Sequence, residues 1–374
     1  MPDLTPEQST TIMSLALKLA ALKISSTFSQ LEPGPIVTTY YLALGADVPI
    51  AKIMKAEEDL ALAVGVPSVL ITRLGGQIAI AIPNKIKTLV DYDSCLHIML
   101  QDTTLKLPIL LGVDTKGKAS YLDLTESPHI LVAGSTGAGK SVLLAAVISG
   151  LATAKSASEL KLMLVDTKQL DLTLFEQLPH VVEVADDVVK VHALFDRLML
   201  IVRQRTAKMK GIARNIYEYN TITGESLPYY VIIIDELADV IGEDSALARA
   251  GFGNIEDLPR IPARLQSLLQ ICRATGVHVI CATQRPSVKI ITGDIKANLA
   301  TRIALRLPTG FDSRTIIDEY GAEQLLGKGD MLVQSPQSEQ VVRYHGPYVS
   351  MNHIANVLVN CDSIRESYKY LKSK

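Results

Sequence analysis

Tryptophan is absent from this chain, and aromatic residues make up only 5% of its 374 residues. Hydrophobic residues nevertheless make up 48%, so the core has to be built from Val, Ile, Leu and Ala. Such side chains are typical of a parallel sheet that is covered by helices on both faces. The length has room for about two or three domains.

Cysteine is also scarce, with four residues at Cys95, Cys272, Cys281 and Cys361. None of them forms a C-x-x-C pair, and no group of His and Cys residues has the spacing of a zinc site. We interpret all four as reduced thiols of a cytoplasmic protein and not as metal ligands.

Long apolar runs and an excess of basic residues are missing as well. The longest uncharged apolar stretch, 141–154, is too short to span a bilayer, and residues 1–7 lack the basic segment of a signal peptide. These features predict a chain without a membrane segment. The net charge of −2 excludes a globally basic nucleic-acid-binding protein. Any contact with nucleic acid must therefore use a local patch or loop.

The first part of the chain combines short helical and strand-like patterns, with a break at Pro33-Gly34-Pro35. The predicted elements are a helix over 10–28, a strand over 36–44, a helix over 50–64, and a pair of strands over 69–72 and 78–82. Together they predict a small N-terminal α+β domain over residues 1–105.

From Ile109 onward, strand-like runs alternate with helical segments, which is typical of βαβ units and a parallel sheet. The predicted elements are strands over 130–133, 161–165, 229–234, 277–282 and 302–307 and a long helix over 188–212. Residues 242–262 have little periodicity, so we expect an irregular excursion there, followed by a helix from Ala263. The fold class is predicted as α/β, with a second domain over 106–374.

A complete G-x-x-x-x-G-K-S phosphate loop reads Gly134-Ser135-Thr136-Gly137-Ala138-Gly139-Lys140-Ser141. An apolar strand precedes it and a helical run of small apolar residues follows it. In such loops backbone N–H groups and the helix N-terminus bind phosphates, the Lys reaches the β and γ oxygens, and the Ser hydroxyl suits Mg²⁺. All eight residues are candidate ATP-binding residues, and ATP and Mg²⁺ are the expected cofactors. Because the loop is expected to be exposed, replacing Lys140 should remove hydrolysis and leave the fold intact.

A second motif is the apolar strand over 229–234 that ends in Asp235 and Glu236, about 95 residues after Lys140. Asp235 is a candidate for holding Mg²⁺ through its water shell, and Glu236 is a candidate for polarising the attacking water. The alternative interpretation is a helix-capping Asp beside a solvated Glu.

A third motif follows the strand over 277–282, where Thr283 and Gln284 stand at the strand tip. Either side chain is placed to contact the γ-phosphate or the attacking water, and thus to sense whether ATP or ADP is bound. The alternative is a simple turn ahead of Pro286.

These motifs and the blocks between them resemble the FtsK/SpoIIIE family of DNA translocase motors. The resemblance is carried, in chain order, by residues 128–134, 234–239, 282–288, 291–298, 312–318 and 321–332. The N-terminal blocks 33–38 and 82–85 fit the same family. Together they cover most of residues 10–350.

The resemblance implies a RecA-like P-loop ATPase core with a parallel sheet, stacked on the smaller N-terminal domain. It also implies a homo-oligomeric ring, expected to be a hexamer, that threads double-stranded DNA and hydrolyses ATP between subunits. Ring motors use an arginine finger inserted into the neighbouring site. Arg273 matches the family arginine best placed for this role, and Arg264, expected on the same helix, is the second candidate. The alternative for either residue is an exposed helix arginine.

The family binds DNA through loops that line the pore. Arg285 matches one basic position of these loops, and Lys289 follows on the same loop. A Lys that the family commonly carries is replaced here by Gly310, and Arg306 is the candidate that compensates for it. So few contacts predict weak, sequence-independent binding to the DNA backbone.

Two further expectations concern the type of family member. Full-length members carry N-terminal membrane helices and a C-terminal winged-helix γ domain, and this sequence has neither. It is therefore expected to be either a motor fragment or a short stand-alone relative from a mobile element or a virus. The short spacing from Lys140 to Asp235 favours the second of these. The competing functions are a conjugative coupling ATPase, a viral DNA-packaging ATPase, and a scaffold that binds ATP without transport.

Overall fold

The computed structural model describes residues 4–74, 76–249, 260–338 and 340–372. The helices within these ranges are α1 (Pro6–Ala21), α2 (Ile50–Met54), α3 (Glu57–Val64), α4 (Tyr92–Gln101), α5 (Lys140–Ala154), α6 (Val188–Met209), α7 (Ile216–Thr223), α8 (Leu237–Arg249), α9 (Ile261–Ile271), α10 (Gly293–Asn298), α11 (Gly310–Ile317) and α12 (Met351–Lys372). The strands are β1 (Ser26–Pro33), β2 (Val37–Leu44), β3 (Leu70–Leu74), β4 (Gln77–Pro83), β5 (Pro108–Asp114), β6 (Ala119–Asp123), β7 (His129–Ala133), β8 (Leu160–Val165), β9 (Val181–Ala185), β10 (Tyr229–Ile234), β11 (Val277–Thr283), β12 (Thr301–Leu305), β13 (Asp330–Gln334) and β14 (Val342–His345).

The N-terminal unit is an antiparallel sheet of four strands in the order β1-β2-β4-β3, with α1 and α3 packed against it. Helix α1 begins after Thr5, whose side chain accepts a hydrogen bond from the N–H of Gln8 while the Gln8 side chain accepts one from the N–H of Thr5. Leu15, Leu19 and Leu60 of the two helices are buried on the sheet. The predicted small α+β domain is confirmed.

Two predicted helices of this domain have the wrong extent. The helix predicted over 10–28 ends at Ala21, because residues 26–33 pair with β2 as an antiparallel strand. The helix predicted over 50–64 is divided into α2 and α3. Three acids, Glu57, Glu58 and Asp59, occupy the first turn of α3, and acids favour a new helix N-terminus at that point.

A sheet of ten strands forms the larger unit, in the order β6-β5-β14-β13-β12-β7-β11-β10-β8-β9. The six strands from β12 to β9 run parallel to their neighbours, whereas the four at the other edge are antiparallel. The five predicted strands form the centre of the sheet. The predicted α/β fold with a mostly parallel sheet is thus confirmed, and the strands that the sequence analysis missed are β5, β6, β9, β13 and β14.

Both faces of the large sheet are covered by helices. Helices α4, α5 and α12 pack on one face, and α6, α8 and α9 pack on the other. Strand β7 lies between β12 and β11, so its carboxyl end meets those of β10 and β11 at one edge of the sheet. Ligands of such sheets bind at this edge. None of the helices in the described ranges is long and apolar enough to cross a membrane.

The division between the two units near residue 105 stays a prediction, and the packing of one helix bears on it. Helix α4, which the sequence analysis did not predict, falls within residues 1–105, but its Tyr92, Leu96 and Met99 are buried in the same cluster as α5 of the large unit. We therefore propose a division between Pro83 and Val90 instead of near residue 105.

The irregular excursion expected over 242–262 is wrong for its first part, because α8 continues to Arg249 with Ile241 and Asp244 buried. Residues 250–259 lie outside the described residues. Helix α9 then begins at Ile261 and ends at Ile271, so Arg264 lies on it while Arg273 follows in a single 3₁₀ turn. The two candidate arginines are thus not on the same helix.

Candidate nucleotide-binding site

The phosphate loop connects β7 to α5 at the centre of the large sheet. Gly137 and Gly139 have φ angles of +77° and +108°, which a residue with a side chain rarely adopts. A Cβ at Gly139 would also lie 2.6 Å from the backbone nitrogen of Gly329. Gly329 donates a 2.8 Å hydrogen bond to the carbonyl of Ala138, so a turn before β13 supports the loop from outside the motif.

Lys140 is buried, contrary to the expectation of an exposed side chain, with only 4% of it accessible. Its ammonium donates to a carboxylate oxygen and to the backbone carbonyl of Asp235, each at 2.6 Å. Asp235 is equally buried, at the carboxyl end of β10. Burial raises the pKa of Asp235, against the opposing effect of Lys140, while Asp171 and Asp166 raise it further. The phosphate-loop lysine and the strand-end aspartate therefore form a buried ion pair.

Two aspartates that the sequence analysis missed complete this side of the site. Asp171 accepts a 2.5 Å hydrogen bond from the hydroxyl of Ser141. Asp166, directly after β8, holds the following turn by accepting hydrogen bonds from three backbone N–H groups, those of residues 170, 171 and 172. The signal available in the sequence was an acid directly after a predicted buried strand. Within the described ranges, no cluster of three or more His, Cys, Asp or Glu side chains could hold a metal by itself.

Glu236 is fixed by the tip of β11. One carboxylate oxygen accepts from the hydroxyl of Thr283 at 2.6 Å, and the other accepts from the N–H of Gln284 at 2.8 Å. The side-chain oxygen of Gln284 in turn accepts from the hydroxyl of Thr136 in the phosphate loop at 2.9 Å. A continuous hydrogen-bonded series therefore joins the strand-end glutamate, the tip of β11 and the phosphate loop.

The two arginine candidates have different surroundings. Arg264 donates to His192 and Asp196 on α6, and only 9% of its side chain is accessible. Arg273 is exposed in the turn before β11, at the opposite end of this strand from Thr283. In a parallel sheet, that turn lies at the edge away from the phosphate loop. Arg273 therefore lies away from the candidate site of this chain, whereas Arg264 is held by hydrogen bonds to His192 and Asp196.

The three residues considered for DNA contact lie in two places. Arg285 and Lys289 are exposed in the segment after β11, which has no helix or strand up to residue 292. Arg306 is exposed directly after β12, and its carbonyl accepts hydrogen bonds from the N–H and the hydroxyl of Ser135, both at 2.9 Å. Its guanidinium lies 3.6 Å from the position of a Cβ at Gly327. Arg306 is thus beside the phosphate loop.

A cavity of about 730 Å³ opens over the phosphate loop. Besides the loop, its lining includes Asp171, Gln284 and the turn at 326–330. It also includes residues 87–90 and 345–348, which no sequence motif connects with the loop. The volume is in the range of ligand pockets.

Comparisons with known proteins give the same family for both units. Residues 3–84 match the FtsK alpha domain, and residues 99–225 match the FtsK/SpoIIIE family. The chain is 35% identical over 371 residues to DNA translocase FtsK of Lactiplantibacillus plantarum, covering 95% of this chain and 45% of that protein. It is 34% identical over 364 residues to DNA translocase FtsK of Treponema pallidum, covering 92% and 44%. The chain thus spans less than half the length of these relatives.

Solved structures show a similar fold. The pCW3 conjugation coupling protein TcpA, in its monomer form with ATPgS, superposes with a TM-score of 0.64 at 23% identity, covering 93% of this chain and 99% of that one. The cytoplasmic domain of the type VII secretion ATPase EccC from Thermomonospora curvata gives a TM-score of 0.60 at 22% identity, covering 74% and 34%. At this identity the likeness concerns the fold alone.

Proposed function

We propose that this chain, which belongs to the FtsK/SpoIIIE family, is an ATP-driven motor that moves double-stranded DNA. The observation that carries the proposal is the meeting of Lys140, Asp235 and Glu236 at the carboxyl ends of β7 and β10. The role on DNA is inferred from two DNA translocases. The chain spans 45% and 44% of their lengths, so the activity of the whole proteins is a proposal for this chain.

Because Lys140 is paired with Asp235, binding of ATP requires the Lys140 ammonium to exchange the Asp235 carboxylate for the phosphates. A triphosphate on residues 134–141 attracts the Lys140 ammonium to its β and γ oxygens. This movement leaves the Asp235 carboxylate without its cation in a buried site. Such a charge is costly unless it is compensated, so we expect ATP to bind together with a cation.

Mg²⁺ fits the residues present. The hydroxyl of Ser141 and the carboxylate of Asp235 are hard oxygen ligands, and Mg²⁺ in proteins uses one or two carboxylates together with substrate phosphates. If Ser141 held the ion, it would give up its hydrogen bond to Asp171, and the Asp171 carboxylate would then be available to accept from water around the ion. When bound, the ion neutralises charge on the transferred phosphoryl group.

Glu236 is the proposed residue that orients and polarises the attacking water. Its carboxylate accepts hydrogen bonds from Thr283 and Gln284 and therefore stays in one position at the strand tip. The side chain of Gln284 also accepts from Thr136, while its backbone N–H donates to Glu236, so a single residue connects the phosphate loop with Glu236. Gln284 is the proposed sensor of the γ-phosphate.

The proposed assembly is a homo-oligomeric ring of six subunits that hydrolyses ATP between neighbours. In such a ring, Arg273 of one subunit would act in the nucleotide site of the next. Its exposure at the edge away from its own phosphate loop supports this role, and Arg264, bound to His192 and Asp196, is the weaker candidate. An arginine finger neutralises charge in the transition state.

Contact with duplex DNA is proposed for Arg285 and Lys289 on the loop after β11. This loop begins at Gln284, so its position depends on the same residue that contacts the phosphate loop. Arg306 is retained as a DNA candidate, with a second proposed role beside the phosphates because its carbonyl accepts hydrogen bonds from Ser135 of the phosphate loop. We place this activity in the cytoplasm, where ATP and duplex DNA are present together.

A conjugative coupling or viral packaging ATPase is the alternative within the same superfamily. The likeness to TcpA concerns the fold only, whereas the 34–35% identity to DNA translocases extends over more than nine tenths of this chain. This favours the translocase.

The test is ATP turnover of the purified chain with and without linear duplex DNA, together with displacement of a third strand bound to that duplex as a triplex. A translocase shows DNA-stimulated turnover and displaces the third strand only with ATP. Turnover without displacement would indicate a static clamp, and ATP binding without turnover would indicate a scaffold.

A further inference from the structure

The candidate nucleotide cavity extends beyond the phosphate loop to two segments without an assigned role. One consists of residues 87–90, in the connection between the small and the large unit. The other consists of residues 345–348, from the last residue of β14 onward. A triphosphate occupies only the part of the cavity around the phosphate loop, so the space beside these two segments is available for the rest of a nucleotide.

Large apolar side chains are exposed in both segments. Leu89 is 81% accessible and Tyr348 is 61% accessible, and both line the cavity. Pro347 lies next to Tyr348 in the same wall. An aromatic ring and a branched aliphatic side chain at the rim of a ligand cavity suit the flat face of a heteroaromatic base and not a charged group.

We propose that residues 87–90 and 345–348 form the base-binding part of the nucleotide site, with Leu89 and Tyr348 contacting the base of the nucleoside triphosphate. This proposal rests on the ATPase function proposed above and adds the residues that recognise the base. It also makes the connection between the two units a part of the nucleotide site.

Backbone hydrogen bonds connect these segments with both the phosphate loop and the small unit. Gly329 donates to Ala138 of the loop, Gly346 donates to Gly329, and both bonds are 2.8 Å long. Tyr348 then donates to the carbonyl of Val90 at 3.4 Å.

On the far side of the connection, Thr88 donates to Pro35 of the small unit at 2.9 Å. A base held by Leu89 and Tyr348 would therefore order the only described segment that joins the two units. Binding of a nucleotide would thus be coupled to the position of the small unit through residues 87–90.

The experiment compares two probes, ATPγS and inorganic tripolyphosphate, each titrated with Mg²⁺ by calorimetry. Tripolyphosphate uses the phosphate loop alone, whereas ATPγS also uses the base subsite. The test variant is Leu89→Ala with Tyr348→Ala. Ile86→Ala is the matched control, because Ile86 is 89% exposed on the same connection and does not line the cavity. Tyr348→Phe keeps the aromatic face and should bind ATPγS like the unaltered chain.

We expect the double variant to bind ATPγS about tenfold more weakly, as for the loss of a modest apolar contact area, with tripolyphosphate affinity changed less than about twofold. ATPγS, but not tripolyphosphate, should slow amide hydrogen exchange at residues 87–90. An unchanged affinity of the double variant for ATPγS, or an equal loss for both probes, would overturn the base subsite. The proposed ATPase function fails separately, if Lys140→Ala binds ATPγS as tightly as the unaltered chain.

Discussion

The carboxylate of Glu236 accepts a 2.6 Å hydrogen bond from the hydroxyl of Thr283, and both side chains are buried. The two residues stand at the ends of β10 and β11, which are adjacent parallel strands. The carboxylate that we propose to polarise the attacking water is thus held by the neighbouring strand, in addition to a 3.3 Å hydrogen bond from the N–H of Ala238. We expect a shift of β11 relative to β10 to move this carboxylate and so to change the proposed hydrolysis.

Replacing Glu236 with Gln should keep nucleotide binding and slow ATP hydrolysis by roughly 10²-fold or more, the usual scale for the loss of a general base. The amide has nearly the same shape but cannot polarise water in the same way. Steady-state turnover and ATPγS affinity, measured on the same preparation, check this. Glu243→Gln, at an exposed acid on α8, is the control and should behave like the unaltered chain. Equal turnover in the two variants would leave Glu236 as a structural carboxylate.

Replacing Thr283 with Val removes the hydroxyl and preserves the shape of a fully buried side chain. Glu236 then keeps the bond from Gln284 but loses the shortest of its contacts. We expect roughly tenfold slower turnover, with ATPγS affinity within about twofold. The stability loss should be about 1–3 kcal/mol, because the hydroxyl donates to Glu236 and accepts from the N–H of Arg285, and both bonds are lost. If turnover falls only in proportion to the fraction of unfolded protein, Thr283 has no positioning role.

Lys140→Ala should abolish ATP hydrolysis, and it should also destabilise the nucleotide-free chain. The second effect corrects the expectation from the sequence, because Lys140 neutralises a buried Asp235. Leaving one member of a buried pair uncompensated costs about 3–5 kcal/mol. Adding Asp235→Asn should restore most of the melting temperature and none of the turnover. A single variant that melts like the unaltered chain would show that the ion pair contributes nothing to stability.

Much of the site could be predicted because its motifs are local. The phosphate loop, Asp235, Glu236 and Thr283 each follow a strongly apolar strand, and parallel strands bring their carboxyl ends to one edge. The resemblance to the FtsK/SpoIIIE family is confirmed by matches to both units.

The remaining parts of the site depend on contacts between distant segments, for which the sequence has no local signal. Gly329 contacts the phosphate loop only because β13 joins the sheet beside β12. Residues 87–90 line the cavity next to the hydrogen bond from the N–H of Tyr348 to the carbonyl of Val90. The burial of Lys140 depends on its partner, 95 positions later. Helix α8 was missed because Gly242 interrupts its helical sequence pattern. In the folded chain, the buried side chains of Ile241 and Asp244 stabilise the helix by packing.

Acid should destabilise the chain between about pH 6.5 and pH 3. Burial lowers the pKa of His129 to about 3 and of His278 to about 4, and the two rings lie 6.4 Å apart at the start of β7 and β11. An unfolded histidine binds a proton below about pH 6.5, whereas these folded ones do not, so stability falls as the pH falls through this window. The loss for His278 reaches roughly 3 kcal/mol near pH 4. Chemical denaturation at several pH values measures it, and His278→Gln should flatten the slope. An equal slope in that variant would contradict this origin.

Arg273→Ala is the sharpest test of a ring, because the finger acts in the site of the neighbouring subunit. Subunits with this change should bind ATPγS normally and still inhibit rings when they are mixed with unaltered subunits. Mixing Arg273→Ala with Lys140→Ala subunits creates some interfaces in which an intact phosphate loop faces an intact Arg273. Such interfaces should recover part of the duplex-stimulated ATPase activity, since an arginine finger supplies roughly 10³-fold or more of the rate. Arg203→Ala, at an exposed arginine of α6, is the control and should leave the mixtures fully active. If activity falls linearly with the fraction of Arg273→Ala subunits, and the mixture of the two variants shows no recovery, each subunit works alone. That result would contradict both the role of Arg273 as the finger and the coupled ring.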